Sequence, residues 1–463
     1  MTPPRTFTIR TFGCQMNEHD SERVAGLLVA DGLVPAAEDD EADVVVFNTC
    51  TIRENADLKL YSALGHLKAL KAQRPDVQIV VGGCLAQKDR GAIVERAGWV
   101  DVVVGTHNWA ATPSLLARAR TWGPQVAVRD FPDAEANREL APALHAVREV
   151  PWAAWMTIQT GCDNSCAYCI VPAVRGREIS RPLDDLLVEA RDLVSRGVTE
   201  STVLGQNVNS YGRDITGRRP LFAQLLRELG EVEGLERIRF TSPHPKDLRP
   251  ETIAAMAETP AVCPQLHLPL QSGSNRVLSA MRRGYRVERY LERLAAARAA
   301  IDDLAVTTDL IVGFPGESDA EFDETLAVVA EAQFDAAYTF IFSPREGTRA
   351  AAMTGAVDPE VIRERFARLT EVLDRSALRR HAAREGRREE VLVEGVSKRR
   401  DTVWSGRTRQ GKLVHFARPS EAVVPGSLVS VTITHGAPYY LVGDVVDVVR
   451  GPRHRQRIAL RVS

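Results

Sequence analysis

The chain has 463 residues, 44% hydrophobic and 26% charged, with seven cysteines and a formal net charge of −2. That composition fits a soluble globular protein of about three domains, and no apolar run approaches the roughly 20 residues that a membrane helix needs. Met1-Thr2-Pro3-Pro4-Arg5 leads into a strand-like run with no long apolar core, so no signal peptide is expected, and the cysteines are read as ligands or catalysts in a reducing cytoplasm rather than as disulfides.

The first elements repeat one unit. Phe7-Thr8-Ile9-Arg10-Thr11 reads as a strand and is followed by Gly13-Cys14. Asp43-Val44-Val45-Val46-Phe47 is an apolar run before Asn48-Thr49-Cys50, and Gln78-Ile79-Val80-Val81 runs into Gly82-Gly83-Cys84. Helical spacing appears between them in Val24, Leu27 and Leu28 before Gly32, then in Leu60, Leu64 and Leu67; a short strand, Val102-Val103-Val104, follows. Apolar strands alternating with helices predict a parallel sheet covered on both faces. In such a sheet the carboxyl ends of the strands share one edge, where ligands bind. Cys14, Cys50 and Cys84 each follow their own strand, so all three are predicted at that edge. They read as three thiolate ligands of an iron–sulfur cluster with one iron left open; the alternative is three unrelated core thiols.

Residues from about Pro113 to Glu149, interrupted by Pro124, Pro132 and Pro142, read as a connector. Alternation then resumes. Strands are predicted at Trp155–Ile158, Thr199–Leu204, Arg237–Phe240, Gln265–Leu268, Ala305–Val312 and Tyr338–Phe342, with amphipathic helices between, such as Leu183 to Val194 opened by Ser180 and closed by Gly197. Six β/α units predict a partial, open barrel, whose chemistry lies at the carboxyl ends of its strands. Directly after the first of them stands Gly161-Cys162-Asp163-Asn164-Ser165-Cys166-Ala167-Tyr168-Cys169. Structural zinc takes four ligands, and no fourth Cys or His is near in sequence, whereas three thiolates on a 4Fe–4S cluster leave an iron free for an external molecule. A zinc knuckle with a distant fourth ligand and a disulfide loop remain as alternatives. The CxxxCxxC pattern resembles that of the radical S-adenosylmethionine (SAM) enzymes, in which SAM chelates the open iron.

The other strand ends are polar or glycine-rich: Gly205-Gln206-Asn207-Val208-Asn209, Thr241-Ser242-Pro243-His244, Gln271-Ser272-Gly273-Ser274 and Gly313-Phe314-Pro315-Gly316-Glu317. Asp309-Leu310-Ile311-Val312-Gly313 resembles the adenine-binding strand of radical SAM barrels, with Asp309 where a Gly often stands and Glu317 one position late. Cofactor contacts are accordingly expected from Gln206, Asn207, Ser242, Gln271, Ser272, Asp309 and Gly313. His244 is read as a turn residue and Cys263 as a core thiol.

Asp358 to Arg388 is predicted helical through Ile362, Phe366, Leu369 and Leu373. Period-two runs then follow at Glu390–Val393, Val403-Trp404, Leu413–Phe416 and Ser427–Ile433, with turns at Gly406, Gly411 and Gly426, and predict a small β-barrel of the OB type. From Asp374 to Ser463 there are 18 Lys/Arg against 9 Asp/Glu, so this end is basic and the remainder acidic, which suits a polyanionic partner. Arg399, Arg400, Arg407, Arg409 and Lys412, with Trp404 and Phe416 among them, suit backbone and stacking contacts with RNA; the alternative is a solvated packing module. The predicted organisation is an α/β amino-terminal domain at 5–121, a linker at 122–147, the partial (β/α)6 barrel at 148–380, the small barrel at 383–450 and a basic tail at 451–463.

This order resembles the radical SAM methylthiotransferases over nearly the whole chain, with the carboxyl module similar to their TRAM domain. Thr11-Phe12-Gly13-Cys14-Gln15-Met16-Asn17 with Asp20-Ser21-Glu22, Asn48-Thr49-Cys50-Thr51-Ile52-Arg53-Glu54, Gln206-Asn207-Val208-Asn209, and Arg175-Gly176-Arg177-Glu178 with Ser180-Arg181-Pro182 resemble the MiaB type. The sister groups act on threonylcarbamoyl adenosine in tRNA or on a ribosomal-protein aspartate. The resemblance implies two 4Fe–4S clusters, one on Cys162, Cys166 and Cys169 and an auxiliary one on Cys14, Cys50 and Cys84 that carries sulfur. It implies two SAM molecules per turnover, one giving a 5′-deoxyadenosyl radical and one a methyl group. The substrate implied is isopentenylated adenosine in tRNA, with an electron donor such as flavodoxin or ferredoxin, a sulfur source, a monomeric state and no membrane partner. A rival of another class is a non-catalytic RNA-binding iron–sulfur protein, which SAM cleavage would exclude.

Overall fold

The computed structural model describes residues 5–51, 54–129, 146–148, 150–397 and 400–453. Its amino-terminal part is one parallel sheet in the order β2-β1-β3-β4-β5-β6, formed by β1 (Thr6–Phe12), β2 (Val34–Pro35), β3 (Val44–Thr49), β4 (Gln78–Gly83), β5 (Val102–Val104) and β6 (Gln125–Ala127). β3 and β4 are buried at every position. Alternate residues serve opposite faces. Val44, Val46 and Val80 pack with Val24, Leu28, Leu115 and Leu116 on one side, while Val45, Phe47, Ile79 and Val81 pack with Leu60, Leu64 and Leu67 on the other. Each such side chain, fully buried, contributes about 1.5–3 kcal/mol. Two strands escape the sequence reading, both short and at sheet edges: β2, and β6, which extends the sheet into the stretch expected to be linker. Of that linker, 130–145 lies outside the described residues, as does 454–463 of the expected basic tail.

The second unit is the open barrel. β7 (Ala153–Thr157), β10 (Glu200–Leu204) and β11 (Arg237–Phe240) form one parallel sheet, and β12 (Gln265–His267), β13 (Ala305–Val312) and β14 (Ala336–Ile341) another. A bridge from Ile238 to Val262 links the two halves, and no pairing closes β14 onto β7 among the described residues. The cysteine loop is an excursion from a small antiparallel pair, β8 (Gln159–Thr160) with β9 (Ile179–Ser180). Ser180 belongs to that pair and accepts a hydrogen bond from the Gly212 N–H at 2.9 Å, so it does not cap the helix Leu183–Ser195; the residue at the cap is Pro182. At the other end Gly197 N–H bonds Val194 O and Val198 N–H bonds Leu193 O, the double closure that glycine permits there.

The helix Pro359–Ala382 leads to the last unit, starting under an Asp358 side chain that accepts from Glu360 N–H at 2.7 Å. It stops at Ala382, short of the expected Arg388, because Arg388 already begins a strand. β15 (Arg388–Ser397), β16 (Arg400–Thr408), β17 (Leu413–Ala417), β18 (Leu428–Gly436) and β19 (Leu441–Arg450) close into a barrel in the order β15-β16-β17-β19-β18. Only β17–β19 is parallel, as in an OB fold. β19 is the strand the period-two reading misses.

This module docks on the amino-terminal ends of the barrel strands, opposite their carboxyl ends. Arg237, 2% exposed at the start of β11, donates to Arg407 O at 3.0 Å and to the Glu390 carboxylate at 2.8 Å. Arg239 donates to Arg409 O at 2.8 Å and Thr408 O at 2.9 Å. Lys412 Nζ reaches Asp335 Oδ1 at 2.6 Å, both side chains being under 10% exposed.

Candidate active site

The parallel register brings the amino-terminal thiols together. Phe12 stands opposite Thr49, and Thr49 opposite Gly83, on three adjacent strands. Cys50 and Cys84 are the next residues after β3 and β4, and Cys14 comes two after β1, at the head of the helix Gln15–Ala30. Neighbouring strands lie about 4.8 Å apart, so the three sulfurs share a short stretch of one sheet edge.

A buried amide lattice holds that edge. Asn17 Nδ2 donates to Asn48 Oδ1 at 2.9 Å and to Thr49 O at 3.1 Å, while Asn48 Nδ2 donates to Asn17 O at 2.7 Å and Ser21 Oγ at 3.0 Å. Both asparagines are fully buried, and the Cys14 thiol lies 3.4 Å from Asn17 Oδ1. Gly83 sits at φ +92°, and a Cβ there would come within 2.5 Å of Asn48 Oδ1 and Thr49 O, so glycine is required for the strands to approach.

The second thiol group lies on the loop between β8 and β9. Gly161 has φ +77°, and its missing Cβ would fall 1.9 Å from Arg177 O. That close approach lets Cys162 N–H bond Gly176 O at 3.0 Å. Cys169 N–H bonds Cys166 O at 3.1 Å, and Ala167 N–H bonds Met281 O at 2.9 Å. Arg283, 7% exposed, donates to Cys166 Sγ at 3.3 Å. Burial pushes the Cys169 thiol up to about 12 and raises Cys162 and Cys84 as well. A bound cluster would offset that penalty at the thiols that held it, because a metal-coordinated thiol is deprotonated outright.

The two groups share a wall. The helix Val171–Arg175 begins two residues after Cys169, and Ile170 and Val174 pack on Cys84. Arg175 at its end, 5% exposed, donates to Asp20 Oδ2 at 2.8 Å, and its charge opposes the rise that burial gives the Cys84 thiol. His19 Nδ1 meets Thr157 Oγ1 at 2.7 Å beside it. All seven cysteines are free of disulfides. Among the described residues no three His, Cys, Asp or Glu side chains converge to hold a single ion. A 4Fe–4S cluster needs no such convergence, since each thiolate takes a different iron.

Around the barrel mouth the expected cofactor residues divide. Asn207 is 1% exposed; its Nδ2 donates to Asp247 Oδ2 at 2.9 Å, and its Oδ1, like Gln206 Oε1, is buried without a protein partner. Ser242 and Gln271 hold left-handed backbone, at φ +58° and +70°, a strain that clusters at functional sites. Asp309 lies 3.4 Å from His267 Nε2. Gly313 N–H bonds the buried Glu317 carboxylate at 2.9 Å, which in turn pairs with Arg365 at 3.0 Å, so the displaced glutamate braces the turn. Ser272 is fully buried, with Oγ 3.3 Å from Thr325 Oγ1.

Sequence reasoning gave no chemical role to Arg175, Glu178 or Arg283, and His244, read as a turn residue, accepts from Lys246 N–H at 3.2 Å. Burial lifts the Glu178 carboxyl to about 7, and burial followed by Arg283 and Lys246 holds His244 down to about 2 with Nε2 unpartnered. The unpartnered buried atoms of Gln206, Asn207 and His244, beside a set of soft sulfur donors, are what a bound cluster with a polar co-ligand would satisfy. The residues present fit such a group.

Comparison with known proteins agrees with this layout. Residues 6–105 match an uncharacterised protein family, UPF0004, residues 156–329 the Radical SAM superfamily, and residues 382–446 the TRAM domain. A tRNA-2-methylthio-N(6)-dimethylallyladenosine synthase from Acidothermus cellulolyticus is 54% identical over 97% of this chain and 90% of its own length. One from Thermobifida fusca is 53% identical over 96% and 90%. The chain belongs to the tRNA-2-methylthio-N(6)-dimethylallyladenosine synthase family. Among solved structures, the radical SAM methyltransferase TsrM from Kitasatospora setae matches with a TM-score of 0.54 at 14% identity, over 75% of each chain, a likeness of fold. Membership of the Radical SAM superfamily implies one 4Fe–4S cluster and SAM.

The family's TRAM module departs from the sequence expectation at several RNA-contact candidates. Trp404, 8% exposed, and Phe416, 3% exposed, belong to the module's core, with the Arg418 guanidinium 4.6 Å above the Trp404 ring, so neither aromatic is a stacking platform. Lys412 is spent on Asp335, and Arg409 donates to the carbonyls of Glu236 and Pro260 in the dock. Arg407 is half-exposed and paired with Glu394 at 2.8 Å. Arg400 is exposed, and Arg399 lies outside the described residues. No helix among the described residues is long and apolar enough to cross a membrane.

Proposed function

We propose that the chain methylthiolates C2 of N6-isopentenyl adenosine beside the anticodon of tRNA, giving 2-methylthio-N6-isopentenyladenosine. The observation that supports this reading is the short helix Val171–Arg175, which follows the CxxxCxxC loop, packs on Cys84 through Val174 and ends in the buried Arg175–Asp20 pair. A C–H bond on adenine offers no acid or leaving group to polar catalysis, and a 4Fe–4S cluster with SAM supplies the radical chemistry that side chains lack.

In this reading Cys162, Cys166 and Cys169 hold the cluster that takes SAM, and Cys14, Cys50 and Cys84 hold an auxiliary cluster with the sulfur at its open iron. Two SAM molecules are used per turnover, the second as methyl donor. Arg283 orients Cys166, and Arg175 orients Cys84 against Asp20. Gln206, Asn207, Ser242, Gln271, Asp309 and Gly313 line the SAM side of the mouth. The open flank of the barrel presents Tyr338, 63% exposed, and Phe340, 43% exposed, on the same strand face as Asp309 and Ile311. An isopentenyl tail has apolar surface to lay there, at about 0.8 kcal/mol per buried methylene. The adenosine lies in a single-stranded loop, so turning it outward costs little. Arg400 and Arg407 are the candidates left for phosphate contact. The enzyme works as a cytoplasmic monomer with a small electron-transfer protein of the flavodoxin or ferredoxin kind and a sulfur source.

Anaerobic reconstitution tests this. The full chain should hold about eight irons, and replacing Cys162, Cys166 and Cys169 with alanine should leave about four and abolish SAM cleavage. The corresponding change at Cys14, Cys50 and Cys84 should leave four with uncoupled cleavage to 5′-deoxyadenosine. Full iron content in the second variant would refute the auxiliary site, and a preference for threonylcarbamoyl adenosine would move the chain to the sister group.

A further inference from the structure

Where the TRAM module meets the barrel there is a cavity of about 230 Å³, at the amino-terminal ends of β13 and β14 and so at the opposite end of the strands from the thiols. Its charged lining is Arg298, Arg380, Arg384 and Arg387 against Asp303 and Asp335. Both carboxylates are already filled. Asp335 takes Lys412 Nζ at 2.6 Å on Oδ1 and Val306 N–H at 2.8 Å on Oδ2. Asp303 takes Arg384 at 2.8 Å on Oδ1, with Arg387 at 3.0 Å and Gln410 at 2.7 Å on Oδ2.

Arg298 and Arg380 are left over. Among the described residues neither has an acidic partner; both donate to one carbonyl, Gln333 O, at 3.0 and 3.2 Å. That carbonyl is at the carboxyl end of the helix Asp319–Ala332, where the helix dipole supplies only partial negative charge. Arg298 Nε is buried with no partner at all. Burial, followed by repulsion from Arg380, pushes the Arg298 pKa down against the attraction of Asp335.

We propose that this cavity is a phosphate-binding site, with Arg298 and Arg380 as its two anion ligands. A guanidinium fork matches phosphate oxygens two at a time, and two unpaired cations match a phosphate dianion. The lining is too polar for an apolar guest and too positive for a metal ion. The phosphate is either a free phosphate-bearing small molecule or a backbone phosphate of the RNA held by the neighbouring module. The free-phosphate arm is independent of the methylthiolation reading, and the RNA arm rests on its tRNA substrate.

The test uses the full chain and the Arg298→Gln/Arg380→Gln double variant, which touches neither thiol group nor barrel mouth. Inorganic phosphate is titrated by calorimetry and thermal shift at constant ionic strength, with chloride as the reference anion. Saturable binding by the parent, weakened at least tenfold in the variant, supports the site with a free ligand. If inorganic phosphate has no saturable effect, tRNA binding is measured against salt. A log–log slope shallower in the variant by about 0.7–0.9 then assigns the site to one RNA phosphate. Should the double variant not fold, Arg380→Gln alone, at a partly exposed side chain, gives the same readouts. No phosphate binding and an unchanged slope would overturn the proposal.

Discussion

The Lys412–Asp335 pair offers the sharpest test of how the basic carboxyl end is used. The sequence suggests that Lys412 is a phosphate contact, whereas its ammonium lies 2.6 Å from a carboxylate, with the two side chains 4% and 7% exposed. Lys412→Met keeps the buried stem and removes the charge, leaving Asp335 uncompensated in the dock. Breaking one side of a buried pair costs about 3–5 kcal/mol. For a module of this size that lowers its melting temperature by more than about 10 °C, since 1 kcal/mol is worth about 4–8 °C in small domains. Lys412→Met with Asp335→Asn removes both charges and keeps an oxygen for Val306 N–H, so it should recover to within about 1 kcal/mol of the parent. The assay is denaturation followed by fluorescence, which Trp404 in the module's core reports, together with tRNA binding against salt. The salt slope should not move. A single variant of parental stability, with a slope shallower by about 0.7–0.9, would refute the burial argument and return Lys412 to the RNA.

Gly161→Ala places a Cβ 1.9 Å from Arg177 O at φ +77°, so the loop must shift; reconstituted iron should fall by about four per chain while the amino-terminal site stays loaded. Arg175→Met strands the buried Asp20 carboxylate, and a loss of about 3–5 kcal/mol is expected in denaturant melts. In a background lacking Cys162, Cys166 and Cys169, the same change should also lower the remaining iron below about four, with partial recovery in Arg175→Lys. Tyr338→Ala with Phe340→Ala should reduce kcat/KM for isopentenylated tRNA by about ten- to hundredfold and leave the low rate on unprenylated tRNA unchanged, because only the apolar tail is at issue. Burial, followed by Lys412, holds the His381 imidazole down to about 4 while it bonds Ala437 O at 2.7 Å. The unfolded chain therefore takes up the proton first. Stability should be full above about pH 6.5 and fall by about 2–3 kcal/mol as pH drops to 4.5, and His381→Gln should flatten that profile in denaturation midpoints.

Local pattern alone determined the three-part architecture. Strands such as Val44–Thr49 and Gln78–Gly83 are apolar on both faces, which only a sheet covered on both sides accommodates, and a parallel sheet gathers its carboxyl ends at one edge. Cys14, Cys50 and Cys84 could therefore be brought together across 70 residues of sequence, and the CxxxCxxC loop could be read from its spacing. Tertiary structure alone decided which of many similar residues face inward. Arg175 meets Asp20 from 155 residues away, and Lys412 meets Asp335 from 77. Periodicity reports which face of an element is apolar; it carries no information about which distant carboxylate or carbonyl neutralises a buried cation. The same limit hid the three-residue β6, which gains its stability from the edge it joins. It also placed Trp404 and Phe416 in the core of the small barrel and Lys412 and Arg409 in its dock, because exposure is a property of the folded neighbours and not of the residue.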